Sequence, residues 1–227
     1  MHPASQLVMV WTIAIDALVA AAVLALWYLG FARFNRRRAT QILRWIHAAS
    51  AGHGQLGRVH WSSPSRFHVG VWLSSYSFQH AWITVEMLPR ELPLNWFVSW
   101  CRRRQETATF DADLDCAPNF NLEVHNHRWL GPPRARISAN TRDQWNLVRP
   151  GPFVLTTRTD WHRDLTNMMH ALVASRDSDF IKVSFRKKSP HFSATVPLIS
   201  LSPTSQSAAA LFDVLRELAT GASAARF

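Results

Sequence analysis

The sequence predicts an α+β fold: an N-terminal single transmembrane helix, followed by a mostly antiparallel sheet domain carrying two to three helices. Three observations predict it. Residues 7–32 form one apolar run, LVMVWTIAIDALVAAAVLALWYLGFA. Between residues 58 and 199, several short segments alternate apolar and polar residues with the two-residue period of strands. Stretches at 35–50, 161–175 and 206–220 instead space their apolar residues by three and four, as helices do.

Composition bounds the classes. The chain has 227 residues, of which 48% are hydrophobic, with 12 Pro and 8 Gly. That excludes a mainly disordered or collagen-like chain and a polytopic bundle. Two cysteines exclude a disulfide scaffold and a four-cysteine zinc site. Lys and Arg total 25 against 15 Asp and Glu, a formal charge of +10.

Residues 1–6 make a short leading segment and residues 7–32 the candidate span, which is long enough at 1.5 Å per residue. Trp11 stands near one end and Trp27 and Tyr28 near the other, where amphipathic rings suit the headgroup belts. The first six residues hold no Lys or Arg, whereas Arg33, Arg36, Arg37 and Arg38 follow the run. By the positive-inside rule the N-terminus lies outside and the remainder in the cytoplasm of a bacterium, the bacterial assignment resting on an arginine-rich, lysine-poor composition. A cleaved signal peptide would want its positive charge before the run and a shorter apolar core. Asp16 is the one charged residue inside; a carboxylate there costs about 3 kcal/mol unless protonated or partnered. Ala17, Ala21 and Ala25 recur every four residues beside it, a small-residue stripe on which a second helix can pack closely. An alanine-rich helix that merely tolerates one Asp is the plainer alternative.

Residues 33–53 read as a juxtamembrane basic amphipathic helix, continuing from the membrane or lying on its surface, with Ile42, Leu43, Trp45, Ile46 and Ala49 on its apolar face and Gly52 and Gly54 at its end. Residues 54–227 then form the α+β domain, with a candidate subdivision near 150. Strands are expected at 58–62, 67–74, 82–88, 107–115, 120–129, 134–138, 153–159, 180–187 and 192–199. Residues 88–104, with two prolines, suit a short helix or a loop. Asp160 and Ser205 suit the caps of two later helices. RVHWSSPSRFHVGVWLS near the start resembles KVSFRKKSPHFSATVPLIS near the end, matching Val59 to Val183, Trp61 to Phe185 and Phe67 to Phe192. This marks a candidate duplication of a helix–hairpin unit, against the ease with which paired strands share hydrophobic matches.

Motifs for chemistry are sparse. His125 and His127 point to one face of a strand, but two imidazoles beside Glu123 fall short of a zinc set, and exposed strand histidines are the simpler reading. Asp111, Asp113 and Asp115 share a face opposite Phe110 and Leu114; without a calcium-loop pattern they read as a solvated face balanced by Arg102–Arg104. Nucleophile elbows, phosphate-binding glycine loops and haem-attachment motifs are lacking, and neither cofactor nor catalytic residue is assigned.

Charge says more. Arg36, Arg37 and Arg38, then Arg102, Arg103 and Arg104, then Arg186, Lys187 and Lys188 form three basic clusters. Each cation near an anionic leaflet is worth about 1 kcal/mol, although the first cluster is explained by topology alone. The expected partners are the lipid bilayer and other membrane subunits, or a second copy through the span; nucleic acid is disfavoured. The reading is a membrane-anchored, non-catalytic accessory or scaffold protein. One alternative is an anionic lipid or ligand module holding a headgroup with the second and third clusters. Another is a metal-dependent hydrolase using His125 and His127.

Overall fold

The structure, a computed structural model, describes residues 3–51, 54–73, 78–118, 121–126, 146–148, 153–157, 180–200 and 212–220. Its first element is one helix, α1, running unbroken from Pro3 to Ser50. The span and the juxtamembrane helix expected as neighbours are therefore a single rod. No proline interrupts it after Pro3, and a side chain at Gly30 would meet open space, so nothing in the backbone calls for a kink.

The covered residues of α1 fall on one stripe. Trp27, Phe31, Asn35, Arg38, Ile42, Ile46 and Ala49 are buried or half-buried at steps of three and four, with Ala39 beside Arg38, while residues 11–26 are exposed all round. The same helix thus changes from a fully apolar surface to a one-sided one at about Trp27.

Against that stripe lies a sheet of strands β1 (Gly54–Ser63), β2 (Arg66–Leu73), β3 (Phe78–Glu86), β4 (Thr107–Leu114), β5 (Leu122–Asn126), β6 (Asn146–Val148), β7 (Phe153–Thr157), β8 (Lys182–Phe185) and β9 (Phe192–Pro197). Helix α2 (Pro93–Cys101) sits between β3 and β4, and α3 covers residues 212–220. The strand order is β1-β2-β3-β4-β9-β8-β5-β7-β6, and every pair is antiparallel. It is one sheet, and it runs across residue 150, since β7 pairs with β5 on one side and β6 on the other.

One sheet face forms the core with α1 and α3. Phe67, Val69, Ile83, Val85, Phe110, Phe185, Phe192 and Ala194 meet Ala39, Ile46 and Ala49 of α1 and Phe212, Leu215 and Leu218 of α3. The rings of Phe78, Phe110, Phe192 and Phe212 interlock, with Phe110 edge-on to Phe78, Phe192 and Phe212 at centroid distances of 5.7, 6.0 and 6.0 Å. Alternation in β4 agrees with the sequence: Phe110 and Leu114 are buried, Asp111 and Asp113 face the other way.

Two expectations are corrected, and one left open is decided. Gly54 does not end the helix; it opens β1, where a Cβ would stand 2.0 Å from the Trp72 carbonyl oxygen. The 88–104 segment resolves into a helix, with Pro93 in its first turn where a missing N–H costs nothing. The basic cluster thought to balance the β4 aspartates lies at the other end of the strand. The expected strand at 134–138 and helix at 161–175, His127, and most of the domain near the 150 boundary lie outside the described residues.

Candidate membrane interface

The sheet has two ends, and the longer excursion at one of them meets α1. The β1–β2 turn, the end of β3, the start of β4 and the end of β9 gather there, joined by Met87 N–H donating to Ser65 O (2.8 Å) and Leu198 N–H to Glu106 O (2.9 Å). The opposite end holds Gly54, Leu73, Phe78, Leu114 and the β8–β9 turn.

Residues 87–106 are clamped to α1 by polar groups that are themselves largely buried. Trp27 Nε1 donates to the Arg90 carbonyl at 2.9 Å. Asn35, fully buried, donates from Nδ2 to the buried Glu91 carboxyl at 2.9 Å. Glu106 lies between Arg38 and Arg90, each 2.7 Å away, with its side chain almost shielded from water. Arg90 also stands over the Phe34 ring, 5.3 Å from the centroid. Ion pairs in such shielded surroundings fix orientation, because removing one partner leaves the other charged and desolvated.

Helix α2 is carried by this clamp and is built inside out. Its buried residue is the small, polar Ser99, 4% exposed. Leu94 is 81%, Phe97 55% and Trp100 65% exposed, and Leu92 and Val98 are exposed beside them. Trp96 turns back and meets Trp27 of α1, the two rings tilted at 56° with centroids 6.3 Å apart. Ile199, just beyond β9 at the same end of the sheet, is 80% exposed. Large apolar side chains exposed together on one short helix, with the Phe97 and Trp100 rings 6.2 Å apart, mark a surface that meets something other than water.

The basic residues fall into different situations. Arg36 and Arg37 are exposed on α1, while Arg38 is committed to Glu106. Arg102, Arg103 and Arg104 are exposed directly after α2. Arg186 is paired with Glu123 at 3.2 Å, and Lys187 and Lys188 are exposed in the β8–β9 turn. The second and third clusters stand beyond opposite ends of β4, a strand of eight residues and thus roughly 23 Å long. They do not converge on one headgroup. Beside Arg104 opens a cleft of about 410 Å³ lined by Ser63, Ser65, Arg66, Glu86 and Ser99, in which Arg66 is paired with Glu86 at 3.3 Å.

The remaining candidates lie on the polar sheet face. His125 Nε2 is 3.6 Å from Glu123, whose carboxyl also meets Lys182 (3.1 Å) and Arg186. His125, then Lys182 and Arg186, hold the Glu123 carboxyl down at about 2 against its own desolvation. Burial pushes Asp111 above the usual carboxylate range, opposed by hydrogen bonds from Ser193 and Trp82 and by the charge of Arg186. Asp113 is 3.9 Å from His191, and Asp115 accepts from Gln79 Nε2 at 3.1 Å. Among the described residues, no three His, Cys, Asp or Glu side chains converge as a metal site. Asp16, Ala17, Ala21 and Ala25 are all exposed on α1.

Sequence reasoning missed Asn35, Glu91, Glu106 and the exposed face of α2. For α2 a signal existed. Trp96, Phe97 and Trp100 followed by Arg102–Arg104 repeat the order of Trp27 and Tyr28 followed by Arg33 and Arg36–Arg38. No protein-family model matches the chain, and comparison with curated proteins returns no relative.

Proposed function

We propose that the chain is a single-pass protein of a bacterial inner membrane, with its N-terminus outside and its sheet domain in the cytoplasm, and that it acts without catalysis as an accessory or scaffold subunit of a membrane complex. The observation that carries this reading is the clamp between α1 and residues 87–106. Helix α1 is long and apolar enough to cross a membrane, and the same rod supplies Ala39, Ile46 and Ala49 to the domain core. A domain held this way keeps one orientation to the bilayer, which is what a scaffold presenting a surface to a fixed partner requires. A cleaved signal would discard Trp27 and its bond to Arg90, so the clamp favours an anchor over a leader. The orientation rests on Arg33 and Arg36–Arg38 following an uncharged N-terminal flank.

Asp16 and the Ala17, Ala21 and Ala25 stripe are exposed where the lipid would be, and form the contact we assign to a partner helix. Purification of the tagged protein at native level in gentle detergent, followed by mass spectrometry, tests the reading. A stoichiometric set of membrane proteins is the expected result; the protein alone contradicts it. Asp16→Leu should reduce the recovered partner severalfold while leaving membrane insertion intact, and undiminished recovery would remove the helix contact.

A further inference from the structure

We propose that helix α2 is a second membrane element: it lies in the headgroup layer beside the end of the span, with Leu94, Phe97 and Trp100 in the acyl boundary and Arg102–Arg104 among anionic headgroups. The inference rests on α1 crossing the bilayer and deepens it. Four observations carry it.

The first is the inversion of α2 itself. A nine-residue helix that buries a serine and exposes leucine, phenylalanine and tryptophan has its apolar face where a water-soluble domain would put charge. The second is its height. α2 docks on α1 through Trp96 against Trp27, and Trp27 lies within the last turns of the apolar run, about 9 Å along the helix before Arg33. A helix fixed at that level is at the headgroup–acyl boundary if the span is in the bilayer. The third is charge. Arg102, Arg103 and Arg104 follow the helix at once and are exposed and without ion-pair partners among the described residues, so they suit phosphate groups. The fourth is Ile199, which places a further exposed apolar side chain at the same end of the sheet, where Leu198 is bonded to Glu106. α2 adjoins the candidate span through the Trp96–Trp27 contact, and the surface that fits its exposed face is the lipid around that span rather than a protein.

The arrangement has a consequence for the domain. The clamp fixes the sheet to the rod, and a seated α2 limits how far that rod tilts in the bilayer. With α2 seated in the interface, the sheet stands on its near end, and the β8–β9 turn with Lys187 and Lys188 is held at the far end, away from the bilayer.

The test is site-directed spin labelling of the full chain in bilayers of phosphatidylcholine and phosphatidylglycerol, with Cys101→Ser and Cys116→Ser removing the native thiols. Single labels are placed by Leu94→Cys on α2, Val19→Cys in the span and Lys188→Cys in the far turn, all exposed positions where a label displaces no packing. Collision with oxygen is compared with collision with a water-soluble nickel chelate. The expected result is that labels at 94 and 19 favour oxygen severalfold over the label at 188. A label at 94 that behaves like that at 188, while 19 stays in lipid, overturns the proposal and leaves the span intact. A label at 94 shielded from both reagents overturns it in favour of a protein covering α2. A label at 19 open to the chelate overturns the span, and the placement of α2 with it.

Discussion

Glu106 is the residue on which the mounting of the domain turns. It accepts from Arg38 of α1 and Arg90 of the β3–α2 connection at once, nearly out of water. Glu106→Gln leaves two guanidinium groups facing each other with their counter-charge gone, so it should cost about 3 kcal/mol, read as a lower thermal midpoint in detergent. Glu123 differs because its partners sit on the open sheet face. Its carboxyl is held at about 2 against an ordinary 4.5. A depressed carboxylate contributes stability that is complete above the unfolded value and lost as pH falls towards the folded one. Unfolding midpoints followed downward from neutral pH should therefore drop between about pH 4.5 and 2, and Glu123→Gln should flatten that part of the curve. At this scale the sequence was legible for faces and not for partners. Strand alternation placed Asp111 and Asp113 opposite Phe110 and Leu114. It could not reveal that the cation near Asp111 is Arg186, because β9 and β8 reach β4 from some eighty residues away.

Elements were legible where periodicity is local. β2, β4 and β9 fall within a residue or two of their expected limits. Whether residues 33–53 continue the apolar run or form a separate surface helix stayed open in the sequence, because a helix that passes from an exposed apolar stretch into a domain core changes its apolar face without changing its backbone. α2 was ambiguous for a related reason: its apolar residues are compatible with burial or exposure, and only the fold shows that Ser99 faces inward. Glycine at the start of β1 is an element-scale requirement of another kind. Gly54→Ala would drive a methyl into the Trp72 carbonyl, so the β1–β2 edge must shift, at a cost of about 2 kcal/mol. Faster amide exchange in β1 and β2, with β9 unchanged, is the expected signature.

For the whole molecule, composition and patterning reached the α+β class but not the strand order, since β4 joins β9 and β5 joins both β8 and β7 through long-range pairings. The candidate duplication gains a specific likeness. Trp61 pairs with Phe67 and Val59 with Val69 in the first hairpin, as Phe185 pairs with Phe192 and Val183 with Ala194 in the second, so the two share a register under the matching read from sequence. Their settings differ: β1 lies at the edge of the sheet, whereas β8 is flanked by β5. What joins the scales is the rigid connection of rod to sheet, made by Trp27, Asn35 and Arg38 on one side and Arg90, Glu91 and Glu106 on the other. The most direct measurement of it is the distance between spin labels at Val19→Cys in α1 and Gln79→Cys in β3, taken by electron–electron double resonance on the full chain in lipid bilayers, with Cys101 and Cys116 replaced by serine. A single narrow distance distribution is predicted, broadening in Glu106→Gln. A broad or multiple distribution in the unsubstituted clamp would show a domain swinging from its helix, and would contradict a rigidly mounted scaffold.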